Sequence, residues 1–231
     1  MVNKIIKMIE IIRGYEVEEG WIEATKIIES EYELFLSMLN KNQVNIYGVT
    51  TMVGHMDNIS LNLENISEFQ KYLIYNHNLR LGSDNYSYWE YRCILYTKIC
   101  MYKNGGSGCS PDIYEGLLSI YEDKNFKIQI PRNSTYSCGD VIPASFFARE
   151  VIKYVEDKNG VIGYKDGISL INGNFISVGL AISLLPSLLY IMDNLITNSV
   201  LYYRVSGADT SSINEFLYEE AFQAFEKAHP H

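Results

Sequence analysis

Apolar positions recur at helical spacing along most of the chain. Val2–Arg13 carries Ile5, Ile6, Ile9 and Ile12 on one stripe, and Gly14 predicts the end of that helix. Lys4, Lys7, Glu10 and Arg13 interrupt the stripe, so the segment reads as an amphipathic helix and not as a secretory signal. Trp21–Asn40 repeats the period with Ile22, Ile27, Ile28, Tyr32, Leu34, Phe35, Met38 and Leu39. Further helices are predicted over Leu61–Asn78, Ser87–Tyr102, Ile113–Tyr121 and Val141–Lys158, with one more near Asn214–Lys227. Val44–Gly54 breaks the pattern. Its β-branched residues and glycines predict a short strand running into a loop. Gly167–Met192 contains no charged residue and meets the length of a spanning helix, but Asn172, Asn174, Pro186 and several serines fall inside it. Two helices of an all-α core account for it better than a membrane span.

Composition narrows the class. With 231 residues, 47% hydrophobic and 20% charged, the chain can bury the core of one domain, taken as 1–231. A net charge of −9 argues against a nucleic-acid backbone as the main partner. The four cysteines, Cys93, Cys100, Cys109 and Cys138, form no CxxC pair, so no zinc site is expected. In a chain read without a signal they are reduced thiols of a cytoplasmic protein. His229 and His231 have metal-like spacing, but two histidines at a chain end are read as binding nothing. The Gly-rich turn Asn104–Gly108 lacks the Lys-Ser/Thr of a P-loop, and no strand leads into it.

The chemistry centres on Pro131–Pro143 and within it on Ser137-Cys138-Gly139-Asp140. Asp140 precedes an apolar periodic segment, which predicts a helix N-terminus with Asp140 as its cap. Ser137, Cys138 and Gly139 would then lie at the positive end of a helix dipole, where negative charge is stabilised. Three readings of Cys138 are open: an inert thiol, a nucleophile with a lowered pKa, or a source of an electrophile.

The third reading comes from a resemblance. Ser137-Cys138-Gly139-Asp140-Val141-Ile142-Pro143 resembles the Ala-Ser-Gly-Asp-x-x-Pro segment of the aromatic amino acid ammonia-lyases and aminomutases. Tyr47-Gly48-Val49-Thr50-Thr51-Met52-Val53-Gly54 is similar to their Tyr-Gly-Val-Asn-Thr-Gly-Phe-Gly, departing at Thr50, Met52 and Val53. Phe69-Gln70-x-x-Leu73-x-x-Asn76-His77 resembles their Leu-Gln-x-x-Leu-x-x-Ser-His, and Lys165–Asn174 resembles Lys-Glu-Gly-Leu-Ala-Leu-x-Asn-Gly-Thr. Ser107, Gly108 and Pro111 match a structural turn, and Ala228-His229-Pro230-His231 resembles a further segment at which this chain stops.

The resemblance implies a mainly α fold: an ammonia-lyase-like N-terminal half, a helical bundle with a few short strands and loops around Ser-Cys-Gly. It implies that Ser137, Cys138 and Gly139 condense into a methylidene-imidazolone (MIO) electrophile. Gly139 lacks a Cβ and approaches a carbonyl closely, and Cys138 in place of Ser would leave as hydrogen sulfide. Tyr47 would be the base that removes the substrate β-proton, with a pKa pulled well below about 10. His77, Asn172 and Gly54 would contact the substrate, and no metal is required. Family enzymes are about twice as long, and their second half supplies a bundle of long helices and further site residues. Three functions follow: a lyase or aminomutase subunit completed by a second polypeptide or by oligomerisation, a cofactor-less binding or scaffolding relative, or an enzyme of altered chemistry using Cys138. The first is the reading adopted. It expects a small amino-acid-like substrate, no nucleic acid and no membrane.

Overall fold

The computed structural model describes residues 2–14, 16–41, 45–80, 82–133, 138–207 and 209, and the side chain of Cys138 is outside that description. The chain divides into a larger unit, Tyr15–Ser183, and a smaller one formed by Met1–Gly14 and Leu184–His231. Eight α-helices lie among the described residues: α1 Val2–Gly14, α2 Glu19–Asn40, α3 Ile66–Asn76, α4 Tyr88–Tyr102, α5 Pro111–Glu122, α6 Val141–Asp157, α7 Asp166–Ile171 and α8 Phe175–Ser206. The helix expected near Asn214–Lys227 and the pair His229 and His231 fall outside the described residues.

The larger unit is built round α4. Ser87 starts it with a capping box, its hydroxyl accepting from the Glu90 N–H while the Glu90 carboxylate accepts from the Ser87 N–H. The helix is buried on all sides from Tyr91 to Ile99, which is why its apolar residues show no single stripe. Two cations go down with them, Arg92 and Lys98. The Arg92 guanidinium lies 3.8 Å from the centre of the Tyr121 ring and donates to the Tyr121 carbonyl. Trp21 of α2 packs edge-on against Tyr121 at 5.0 Å and accepts at its carbonyl from the Tyr114 hydroxyl of α5.

Close approach of helices depends on glycines. A Cβ at Gly179, in the opening turns of α8, would lie 2.5 Å from Ile94 Cα. One at Gly167 of α7 would lie 2.3 Å from the Gln70 carbonyl oxygen of α3. The charge-free run is two helices as the sequence predicts, α7 and α8, separated at Asn172–Asn174. Its burial differs from expectation. Phe175, Ile176, Gly179 and Ser183 are buried, whereas Leu184, Leu188, Ile191, Leu195 and Val205 are exposed. The segment Asp166–Ser206 is long and apolar enough to cross a membrane by length and composition.

The strand predicted over Val44–Gly54 does not form among the described residues. The amides of Val49 and Thr50 fold back onto the Ile46 carbonyl, so Tyr47–Thr50 is a turn. Only isolated bridges follow, with Met52 N–H donating to Ile59 O at 2.9 Å and Leu61 N–H to Thr50 O at 2.8 Å. The β-branched residues here serve a folded loop: Thr50 Oγ1 accepts from the Ile46 N–H and Val49 is fully buried.

Gly167→Ala should cost about 1–3 kcal/mol, because the added methyl meets backbone that cannot yield. Gly20→Ala in α2, with nothing within 4 Å of its Cβ, should instead stabilise by about 0.5–1 kcal/mol. Urea unfolding of the two variants reads both signs.

Candidate active site

Tyr47 stands in the turn ahead of the 50–61 loop. Its ring is 48% exposed, and its phenol oxygen accepts from the Gly54 N–H at 2.8 Å. Gly54 makes that return possible with a left-handed φ of 64°. Gly48, next to Tyr47, also has positive φ, and a Cβ there would strike Ile168 of α7 at 2.9 Å. The Tyr47 turn therefore lies directly on α7.

A buried amide holds that contact. Gln70 of α3 is 0% exposed; its Nε2 donates to Gly48 O at 2.7 Å and its Oε1 accepts from Ile168 N–H at 2.9 Å. One side chain thus satisfies a turn carbonyl and an orphan N–H in the first turn of α7. Asp166, at the head of α7, accepts from the Ser110 N–H (2.7 Å), the Ser110 hydroxyl (2.6 Å) and the Gly163 N–H. Burial pushes its carboxyl up, and these three donors pull the other way.

At the far end of α7, Lys98 of α4 donates to Ser169 O at 2.7 Å and Asn172 O at 3.2 Å. The Tyr102 hydroxyl donates to Ser169 Oγ at 3.0 Å. Burial lowers the Lys98 amine from 10.5 to about 7, with the neighbouring Cys109 opposing the shift. Asn172 follows α7 in an extended conformation, and its side-chain amide has no partner among the described residues.

Tyr47 and Asn172 line one open cavity of about 520 Å³, together with Ile46, Met101, Tyr102, Lys165, Ile168 and the Gly105–Ser107 turn. The glycine-rich turn is a concavity of backbone N–H groups occupied from within: Gly106 and Gly108 donate to the two oxygens of Glu31. It is a structural turn, as the sequence predicts.

His77 does not line this cavity. It closes α3, half-buried, with Nδ1 donating to Leu73 O. Of the central motif, Ser137 lies outside the described residues, and Gly139 is exposed with φ 77°. Asp140 does something other than predicted. Its side chain makes no cap bond to α6. It accepts instead from the Ser177 N–H and hydroxyl, in the first turn of α8. The backbone at Asp140 is left-handed, φ 54°, which turns the carboxylate away from α6 and towards the free N–H groups of α8. Among the described residues no cluster of three His, Cys, Asp or Glu side chains is placed to hold a metal.

Gln70, Lys98 and Glu31 escaped the sequence reading. Gln70 stood inside a quoted motif without a role. Lys98 was masked by an apolar run in which a lysine reads as the solvent side of a helix.

Comparison with known proteins defines the class of the chain. The phenylalanine aminomutase of Pantoea agglomerans superposes with a TM-score of 0.71 over 84% of this chain and 40% of its own, at 21% identity, which establishes a shared fold. The sequence profile described as aromatic amino acid lyase matches residues 4–221, and the chain belongs to that family. A probable histidine ammonia-lyase of Thermoplasma acidophilum is 24% identical over 84% of this chain and 42% of its own length. Histidine ammonia-lyase of Paracidovorax citrulli is 24% identical over 60% of this chain and 30% of its own. The chain spans less than half the length of these curated relatives.

Gln70→Ala leaves a buried carbonyl and a buried N–H unpaired, and should destabilise by on the order of 3 kcal/mol in urea unfolding. Lys98 gives a pH signature. Between about pH 7 and about pH 9 the unfolded chain keeps the lysine proton and the folded chain releases it. Stability therefore rises with pH through this window, by at most about 1.4 kcal/mol per unit. Lys98→Met should flatten that rise.

Proposed function

We propose that this chain is a subunit of an MIO-dependent ammonia-lyase or aminomutase acting on an amino acid or a compound derived from one, with its site completed by a second polypeptide. The observation that carries the reading is the meeting of Tyr47 and Asn172, from turns 125 residues apart (172 − 47), on the wall of one cavity. Family membership supports lyase or aminomutase chemistry.

The residues present suit the electrophile in their chemistry. Gly139 has no Cβ, a left-handed backbone and open surroundings, the nearest atom to an added Cβ being Val141 Cγ2 at 3.9 Å. Condensation joins Gly139 N to the Ser137 carbonyl carbon with loss of one water. Cys138 then loses its α-hydrogen and its Cβ–S bond, and hydrogen sulfide departs. No oxidant or reductant is consumed. The ring so made supplies an electrophilic methylidene carbon.

The chain's own residues do the rest. Tyr47, its oxygen oriented by the Gly54 N–H, is the group in the cavity suited to move a substrate proton. Asn172 offers an uncommitted amide for orientation. Asp140 anchors Gly139 to the head of α8, where the helix dipole favours developing negative charge. The exposed apolar residues beyond Ser183 would be covered by a partner chain or a further copy. Asp193, in the middle of that stretch, costs about 2.5–3.5 kcal/mol at a bilayer centre and favours protein over lipid as the cover. A cytoplasmic location goes with this reading.

Intact mass under reducing conditions tests the proposal. Cyclisation makes the chain lighter by one water and one hydrogen sulfide, and removes the Cys138 thiol from alkylation. An unmodified mass with Cys138 alkylated sinks the reading for the isolated chain. In a chain that carries the modification and turns over substrate, Tyr47→Phe should lower kcat by about 100-fold or more while leaving the fold intact.

A further inference from the structure

Lys98 is the buried ionisable group that the proposed chemistry leaves unused. It is 0% exposed on the central helix α4, and an ammonium there is costly to desolvate. It makes no ion pair among the described residues. Its two acceptors are Ser169 O, in the last turn of α7, where a helix leaves its carbonyls without intrahelical partners, and Asn172 O, on the residue that follows the helix. The rings of Phe175 and Tyr102 lie 4.3 and 4.7 Å from Nζ. A lysine from one helix thus caps the C-terminus of another, where the dipole also favours a cation.

Asn172 is held at both backbone ends. Its N–H donates to Ile168 O, and its carbonyl accepts from Lys98. With φ −83° and ψ 148°, it leaves α7 in a single extended step beside the cavity. We propose that Lys98 is the positioning residue of the cavity, fixing through the Asn172 carbonyl the direction in which Asn172 presents its side-chain amide. The functional weight of this rests on the reading that Asn172 faces a substrate.

The groups around Nζ stay neutral near neutrality or are committed elsewhere. On α4 the Tyr102 hydroxyl is pushed well above its ordinary value by burial, and ahead of α5 the Cys109 thiol is pushed up to about 12 by burial. Both stay neutral near neutrality. On α7, Ser169 is neutral, and the Asp166 carboxyl is committed to Ser110 and Gly163. The α8 contribution is the Phe175 ring.

The test is NMR of the full labelled chain between about pH 6 and about pH 9, following Lys98 Cε and the Asn172 side-chain amide. Both should titrate with one midpoint, near 7. Lys98→Met should abolish the Asn172 titration and speed exchange of the Asn172 backbone amide by about tenfold or more, and Lys98→Arg should restore slow exchange without the titration. An Asn172 amide indifferent to pH, or unchanged exchange in folded Lys98→Met, overturns the proposal. If the variants fail to fold, the titration of the unsubstituted chain decides alone. None of these readouts needs the electrophile. A chain of unmodified mass would end the lyase reading and leave this inference standing.

Discussion

A single buried amide, that of Gln70, makes the candidate site one object. The Tyr47 turn has no sheet to hold it, and α7 is too short to hold itself; isolated helices of such length are marginal in water. Gln70 bonds both, Gly48 O through its nitrogen and Ile168 N–H through its oxygen, and does so where no water competes. The contact is possible only because Gly48 and Gly167 leave room, one against Ile168 and the other against Gln70's own backbone. Polar satisfaction and close packing are here the same event.

The same logic runs through the core. Helix α7 receives bonds from α3 at its head, from Ser110 through Asp166, and from Lys98 at its tail. A helix with this many buried polar attachments is fixed in position more than it is stabilised, because each bond is worth little net and much if broken. That trade suits an element that ends in Asn172, a residue whose proposed use depends on direction. Asp140 repeats the device for the central motif, lending its carboxylate to the N-terminus of α8.

The outer half of α8 is apolar and exposed. Apolar residues stay exposed there on several sides of the helix, among them Leu184, Tyr190 and Ile196, and a helix apolar all round is normally enclosed. The aligned region makes up less than half of the curated relatives' own length.

The sequence by itself determined the helices, the end of α1 at Gly14, the division of the charge-free run into two helices and the family motifs, because these are local: periodicity and spacing act within a few residues. It misled at Val44–Gly54, where β-branched residues pack into a folded loop because no neighbouring strand offers a ladder. It also misled at Asp140, where a left-handed backbone sends a capping side chain to a different helix. Only the tertiary structure decided that Gln70, Lys98 and Glu31 serve backbone groups 22, 71 and 75 residues away. Such bonds leave no trace in local pattern. A buried polar side chain is placed by whichever unsatisfied carbonyl or N–H the packing brings beside it.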